Sequence, residues 1–151
     1  MTGSISPYAL TGPTLYPWSV GPDVVELQEL LKAHGFTLKV DGDFGSRTEE
    51  ALKRYQRKFG LRIDGVAGPE TWFSLKDKVP LGERILRQGL TGRDVYQLQT
   101  LLQVNGYRVE RQGIFDAKTK EAVAEFQRKH KLDITGVVER LTWALLCNRA
   151  K

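Results

Sequence analysis

Histidine and cysteine are almost missing from this chain of 151 residues: His34, His130 and Cys147 are all it has. One cysteine excludes an internal disulfide. Two histidines cannot supply a three-ligand zinc site without carboxylates or Cys147, and no H-x-x-x-H or H-E-x-x-H spacing occurs. No run of about 18 apolar residues is present, so no segment reads as a membrane-spanning helix. Residues 1–20, MTGSISPYALTGPTLYPWSV, lack the basic start and apolar core of a secretory signal. The chain is therefore expected to be cytoplasmic as written, exported by another route, or a piece of a longer protein.

A dense basic stripe is also missing. The net charge is +5 and the isoelectric point about 9.4. Residues 21–75 hold 8 Lys/Arg against 9 Asp/Glu, and residues 92–146 hold 9 against 7. The excess lies in a connector, a tail and one half of the chain. Nucleic-acid binders gather such charge on one face. A helix-turn-helix reading would need a basic third helix, yet Pro69-Glu70-Thr71-Trp72-Phe73-Ser74-Leu75 has no basic residue. No nucleic-acid partner is expected.

What the chain has is one unit written twice. GPDVVELQELLKAHGF (21–36) lies over GRDVYQLQTLLQVNGY (92–107). FGSRTEEALKRYQRKFGLRIDGV (44–66) lies over FDAKTKEAVAEFQRKHKLDITGV (115–137), and TWFSL (71–75) over TWALL (142–146). The offset is 71 without a gap, and 23 of 55 positions are identical. The organisation expected is an extension over 1–14, a first repeat over 15–76, a linker over 77–85 and a second repeat over 86–148.

Each repeat reads as three helices, giving an all-α fold. Val24, Leu27, Leu30 and Leu31 recur at helical spacing, with Gly35 as a stop. Thr48, Ala51, Leu52, Tyr55 and Phe59 form a second stripe, and Ser46 with Glu49 suggests a capping box at its start. Pro69 suits the first turn of a third helix carrying Trp72 and Leu75. Asp116 is the expected cap in the second copy. Trp72 and Trp143 are expected to anchor the two cores.

These residues resemble the peptidoglycan-binding domain found beside cell-wall hydrolases. The resemblance rests on G-x-D-V-x-x-L-Q-x-L-L-x-x-x-G-[FY], then D-G-x-F-G-x-x-T-x-x-A-[LV]-x-x-[YF]-Q, then D-G-V-x-G-P-x-T-W-x-x-L. The first copy matches nearly throughout. The second keeps the helices but departs in the loops: Gln112 stands for Asp41, Asp116 for Gly45, Thr135 for Asp64, and Glu139-Arg140 for Gly68-Pro69. The resemblance implies a compact three-helix fold that holds peptidoglycan or a muropeptide and carries no chemistry itself, either standing alone or tethering a separate catalytic domain or protein; no cofactor is expected. The site of action it implies is the cell wall or periplasm. The alternative is a protein–protein interaction module on the same fold with no wall ligand.

Candidate ligand residues lie in the loops entering the second and third helices. Gly42 and Gly45, then Gly65 and Gly68, let backbone turn sharply and let a ligand come close. Asp41, Asp43, Asp64, Arg47 and Arg62 offer both signs of charge, which suits stem peptides bearing carboxylates and amines. The competing reading is that the glycines only set chain direction. Gln28 and Gln56, repeated as Gln99 and Gln127, are expected to bond loop backbone, because a half-buried amide needs partners.

The stretch DGDFGSRTEEALKRYQ (41–56) opens like a calcium loop. Such a loop closes with a bidentate Glu at position twelve. Counting from Asp41, that position is Leu52. The second copy, QGIFDAKTKEAVAEFQ, drops both opening acids while keeping Gly, Phe and Thr, so no metal is expected. Trp18 stands where the second copy has Gly89, and is either a cover for the first unit or a contact peculiar to this protein.

Overall fold

The computed structural model describes residues 4–149. Helices α1 (Pro22–Ala33), α2 (Ser46–Lys58) and α3 (Pro69–Asp77) fall in one compact unit, residues 10–83. Helices α4 (Arg93–Val104), α5 (Ala117–Lys129) and α6 (Arg140–Arg149) fall in the other, residues 84–149 together with 4–9. A short 3-10 turn, Pro7–Leu10, precedes them.

In the first unit α1 packs against both α2 and α3. Its apolar stripe of Val24, Leu27, Leu30 and Leu31 is buried against Leu52 and Tyr55 of α2 and Trp72 and Leu75 of α3. Each such side chain contributes about 1.5–3 kcal/mol on burial, which lets a unit this small fold. The second unit repeats the core with Val95, Leu98, Leu102, Val123, Phe126, Trp143 and Leu146. Both tryptophans fill interiors, as the sequence pattern predicts. Trp72 also donates from Nε1 to the Pro13 carbonyl at 2.6 Å.

Helix ends follow local chemistry. Past α1, the Phe36 N–H reaches the Leu31 carbonyl (3.1 Å) and the Gly35 N–H the Lys32 carbonyl (3.0 Å), closing the last turn at the expected stop. Pro69 is the first residue of α3. Asp116 caps α5, accepting the Thr119 amide at 2.9 Å. The capping box expected of Ser46 and Glu49 does not form. Gly45 occupies the cap position and Ser46 is already inside the helix. The Glu49 carboxylate instead meets Lys53, one turn on, at 3.3 Å.

Stretches read as extension and linker take part in both units. Thr11 accepts from the buried Lys76 ammonium, which also lies 3.4 Å from Glu26. In the second unit the Ser6 N–H donates to the Gln112 carbonyl at 2.8 Å. Arg84 is buried on Asp94.

Candidate functional site

One extended stretch organises the loops of the first unit. Leu15 exchanges both backbone bonds with Ala67 (3.1 and 2.9 Å). Three residues on, the Trp18 N–H donates to the Phe44 carbonyl (2.6 Å), and the Ser19 carbonyl accepts from the Phe44 N–H (2.9 Å). Three residues of chain reach at most about 11 Å. The loop before α2 and the loop before α3 are therefore held side by side.

A buried glutamine stands behind each loop. Gln28 is fully buried; its Oε1 accepts the amides of Asp41 (3.0 Å) and Gly42 (2.9 Å). Its Nε2 faces Asp41 Oδ1, the Asp43 carbonyl and Thr48 Oγ1, all at 3.0–3.1 Å. Gln56 does the same for the second loop: Oε1 takes the Gly65 amide at 3.0 Å, and Nε2 faces Asp64 Oδ1, the Val66 carbonyl and Thr71 Oγ1. A buried carboxamide with every position engaged fixes backbone as a helix ladder would. Gln99 and Gln127 repeat the device in the second unit.

The candidate residues divide according to this scaffold. Gly42 and Gly65 are buried, with φ of +80° and +70°, and their amides serve the glutamines. Chain direction requires them. Asp41 and Asp64 are exposed, but one oxygen of each is used internally. Asp41 Oδ1 accepts from Asp43 N–H (3.0 Å), and Asp64 Oδ1 from Val66 N–H (2.9 Å). The bond from the Asp43 amide, then that from Gln28, holds the Asp41 carboxyl below the ordinary 3.8.

Gly45 and Gly68 behave differently. Their φ values, −97° and −96°, are open to any residue. A Cβ at either would meet nothing within 4 Å. Each is the cap residue of its helix, α2 or α3, and neither helix start has a side-chain cap. The fold does not demand glycine at these positions, and the second repeat carries Asp116 and Glu139 there.

The cations are spread out. Arg62, with its side chain 88% exposed, lies 3.9 Å from Asp64. Arg62, Asp64 and Gly68 line one recess of about 430 Å³ with Pro69 and Glu70. Arg47 lines a different one, about 220 Å³, with Phe36, Glu50 and Arg54. Asp43 is exposed at the tip of the first loop.

In the second unit the glutamine scaffold survives without the acids. Thr135 Oγ1 accepts the Val137 amide (3.1 Å) where Asp64 accepts that of Val66. The Gln112 side chain turns to Asp116 (3.1 Å). Residues 5–9 lie over this loop: a Cβ on Gly113 would stand 2.9 Å from both Ala9 and Ile5.

Two buried ionic contacts escaped the sequence reading, those of Lys76 and Arg84. Lys76 meets Glu26 of another helix, and Arg84 stands in the stretch read as linker, so neither carries a local signal of burial. The histidines serve packing. His34 Nε2 lies 3.0 Å from the Leu75 carbonyl, and the His130 ring sits 4.3 Å from that of Phe126. Among the described residues no group of three or more His, Cys, Asp or Glu could hold a metal ion. No helix among them is long and apolar enough to cross a membrane.

Comparison with known proteins gives the same unit. The family model of the peptidoglycan binding domain matches residues 20–75 and again 91–146. A spore cortex-lytic enzyme of Bacillus cereus is 58% identical over 52 residues, 34% of this chain and 20% of that protein. The N-acetylmuramoyl-L-alanine amidase CwlM of Mycobacterium tuberculosis is 47% identical over 74 residues, 48% of this chain and 17% of that protein. The crystal structure of the SleB N-terminal domain shares 46% identity over 44% of this chain and 92% of that one, with a TM-score of 0.42. The chain thus spans a fifth or less of these two curated relatives' length. It belongs to the peptidoglycan-binding domain family, and carries two copies of that domain in tandem.

Proposed function

We propose that this chain binds bacterial cell-wall peptidoglycan without cleaving it, through the loop face of its first repeat. It acts at the wall, as the holding part of a lytic protein whose catalytic domain lies elsewhere. The ligand-contacting groups are Asp43, Gly45, Arg47, Arg62 and Gly68, with Asp41 and Asp64 presenting their outer oxygens. Gly42 and Gly65 set the loop backbone beneath them.

The observation that carries this reading is the pair Gly45 and Gly68. Both have unstrained backbone, open space over the Cβ position and an uncapped helix start behind them. Their glycine identity answers no requirement of the fold. It answers one of access, since a ligand can press against backbone there. Family membership supplies the class of ligand. The second repeat, with an aspartate in one of these places and a glutamate in the other, reads as scaffold or a weaker site. Two linked sites would gain avidity on a polymer only if both engage it.

The test is co-sedimentation with purified insoluble peptidoglycan at low and moderate salt, with soluble muropeptide as competitor. The expected result is pelleting that the muropeptide reverses. Protein that stays in the supernatant refutes the reading. Release of labelled wall fragments by this chain alone refutes its non-catalytic part.

A further inference from the structure

Trp18 is 83% exposed, the most exposed tryptophan in the chain, and its neighbours Tyr16 and Val20 are 53% and 72% exposed. Its backbone is also unusual. Only Trp18 and Lys131 among the described non-glycine residues have positive φ, +70° and +58°. Lys131 takes the left-handed position just past α5, where the first repeat has Gly60. Trp18 is the third residue of a turn from Tyr16 to Ser19, closed by the Ser19 N–H on the Tyr16 carbonyl at 2.9 Å. Proline in second place and positive φ in third mark a type II turn, which favours glycine in third place. The second repeat makes the same turn with Gly89 (φ +99°), closed by Leu90 N–H on Arg87 at 3.1 Å.

The turn therefore works without a side chain, and tryptophan adds both backbone strain and exposed apolar surface. Strain of this kind clusters at ligand sites. The turn is also tied to the loop already described. The Trp18 amide donates to the Phe44 carbonyl, and Val20 pairs with Asp43. A ligand lying across Asp43 and Gly45 would lie beside the turn that carries the exposed indole.

We propose that Trp18 is a stacking platform for a sugar ring of the glycan strand. This rests on the wall-binding reading and names the part of the polymer that is gripped. A pyranose presents a face of C–H groups rimmed by hydroxyls. An exposed indole offers a flat apolar face of matching size together with a polar N–H, and loses little rotamer freedom on contact. The charged groups of the two loops are left for the stem peptide.

The experiment uses the full chain, Trp18→Gly and Trp18→Phe. The probes are insoluble peptidoglycan, glycan strands stripped of stem peptide, and free stem peptide. Trp72 and Trp143 are buried, so an emission shift on adding stripped strands reports Trp18. The expected result is a blue shift in the parent protein. Trp18→Gly should lose affinity for stripped strands and whole wall by about tenfold, as for a stacked hot-spot aromatic, and Trp18→Phe should lose less. Trp18→Gly should melt at the same temperature as the parent or higher, because glycine relieves the turn; a purely structural tryptophan would give a lower one.

Wall binding that is unchanged in Trp18→Gly overturns this inference and leaves the wall-binding reading intact. Loss of affinity for free stem peptide alone overturns the assignment to sugar. A parent protein that binds no wall material overturns both.

Discussion

The side-chain oxygen of the buried Gln28 accepts the Gly42 amide at 2.9 Å, and this one bond ties the interior of α1 to the loop that opens α2. Gln56 and Gly65 repeat the relationship at 3.0 Å, so both loops of the first repeat hang from core glutamines. Gln28→Leu keeps the volume but strands the amides of Asp41 and Gly42. It should destabilise the first unit by about 3 kcal/mol, at about 1–3 kcal/mol per stranded polar group with partial rescue by water. Urea melts of Gln28→Leu and Gln99→Leu should show similar losses, since Gln99 accepts the amides of Gln112 and Gly113 in the same way.

Asp41 ties stability to pH in one direction. Its carboxyl is held below 3.8, chiefly by the Asp43 amide and then by Gln28. A depressed carboxyl stabilises the fold above its unfolded value, and that contribution disappears as pH falls through the lower folded value. Asn at this position keeps an acceptor oxygen and cannot titrate. The stability difference between parent and Asp41→Asn should be constant from neutrality down to the ordinary 3.8 and shrink on further acidification. Thermal melts across that range measure it. A difference that shrinks between pH 7 and 5 would contradict the assignment.

Gly45 separates binding from stability. Gly45→Asp installs the residue that caps α5, where Asp116 accepts the Thr119 amide. The new side chain meets nothing within 4 Å at its Cβ. It should stabilise the first unit by a few tenths of a kcal/mol to about 1 kcal/mol, as aspartate outranks glycine only modestly at a helix start. The same substitution should weaken wall binding. A gain in melting temperature with a loss in pelleting is the combination expected.

Arg84 and Asp94 make a buried fork in the second unit, with Nε–Oδ2 at 2.7 Å and Nη2–Oδ1 at 3.0 Å. Removing one partner leaves a buried charge, so Arg84→Ala should cost that unit about 3–5 kcal/mol. Replacing both with apolar residues of similar volume should cost less than the single change. Calorimetry of the three proteins decides this.

Much of the fold is legible in the sequence because it depends on periodicity and local chemistry. Leu27, Leu30 and Leu31 announce a buried face, Pro69 a helix start and Asp116 a cap, and the second copy is a built-in check on each. The site is less legible. Asp41 and Asp64 stand out as acids beside glycines, yet each gives an oxygen to its own loop. Each of those oxygens also meets the amide of a buried glutamine on the preceding helix, Gln28 or Gln56, a contact that helix packing sets. The second repeat keeps glycine opposite Gly42 and Gly65 and replaces it opposite Gly45 and Gly68, but the reason for that division shows only in φ and surroundings. Ser46 resembles a cap because of Glu49, but Gly45 takes the cap position. The left-handed backbone of Trp18 could be suspected only from its alignment with Gly89.

The most direct measurement is a co-sedimentation isotherm on insoluble peptidoglycan for the parent chain, for Asp43→Asn with Arg62→Ala, and for the matched pair Ile114→Ala with Asp133→Ala in the second repeat. All four side chains lie at loop positions outside the glutamine scaffold. With the site on the first repeat's loops, the parent binds, the first-repeat pair raises the apparent Kd about fivefold or more (about 1 kcal/mol), and the second-repeat pair leaves it unchanged. Equal losses in the two repeats, or no loss in either, would contradict a site on the first repeat's loops.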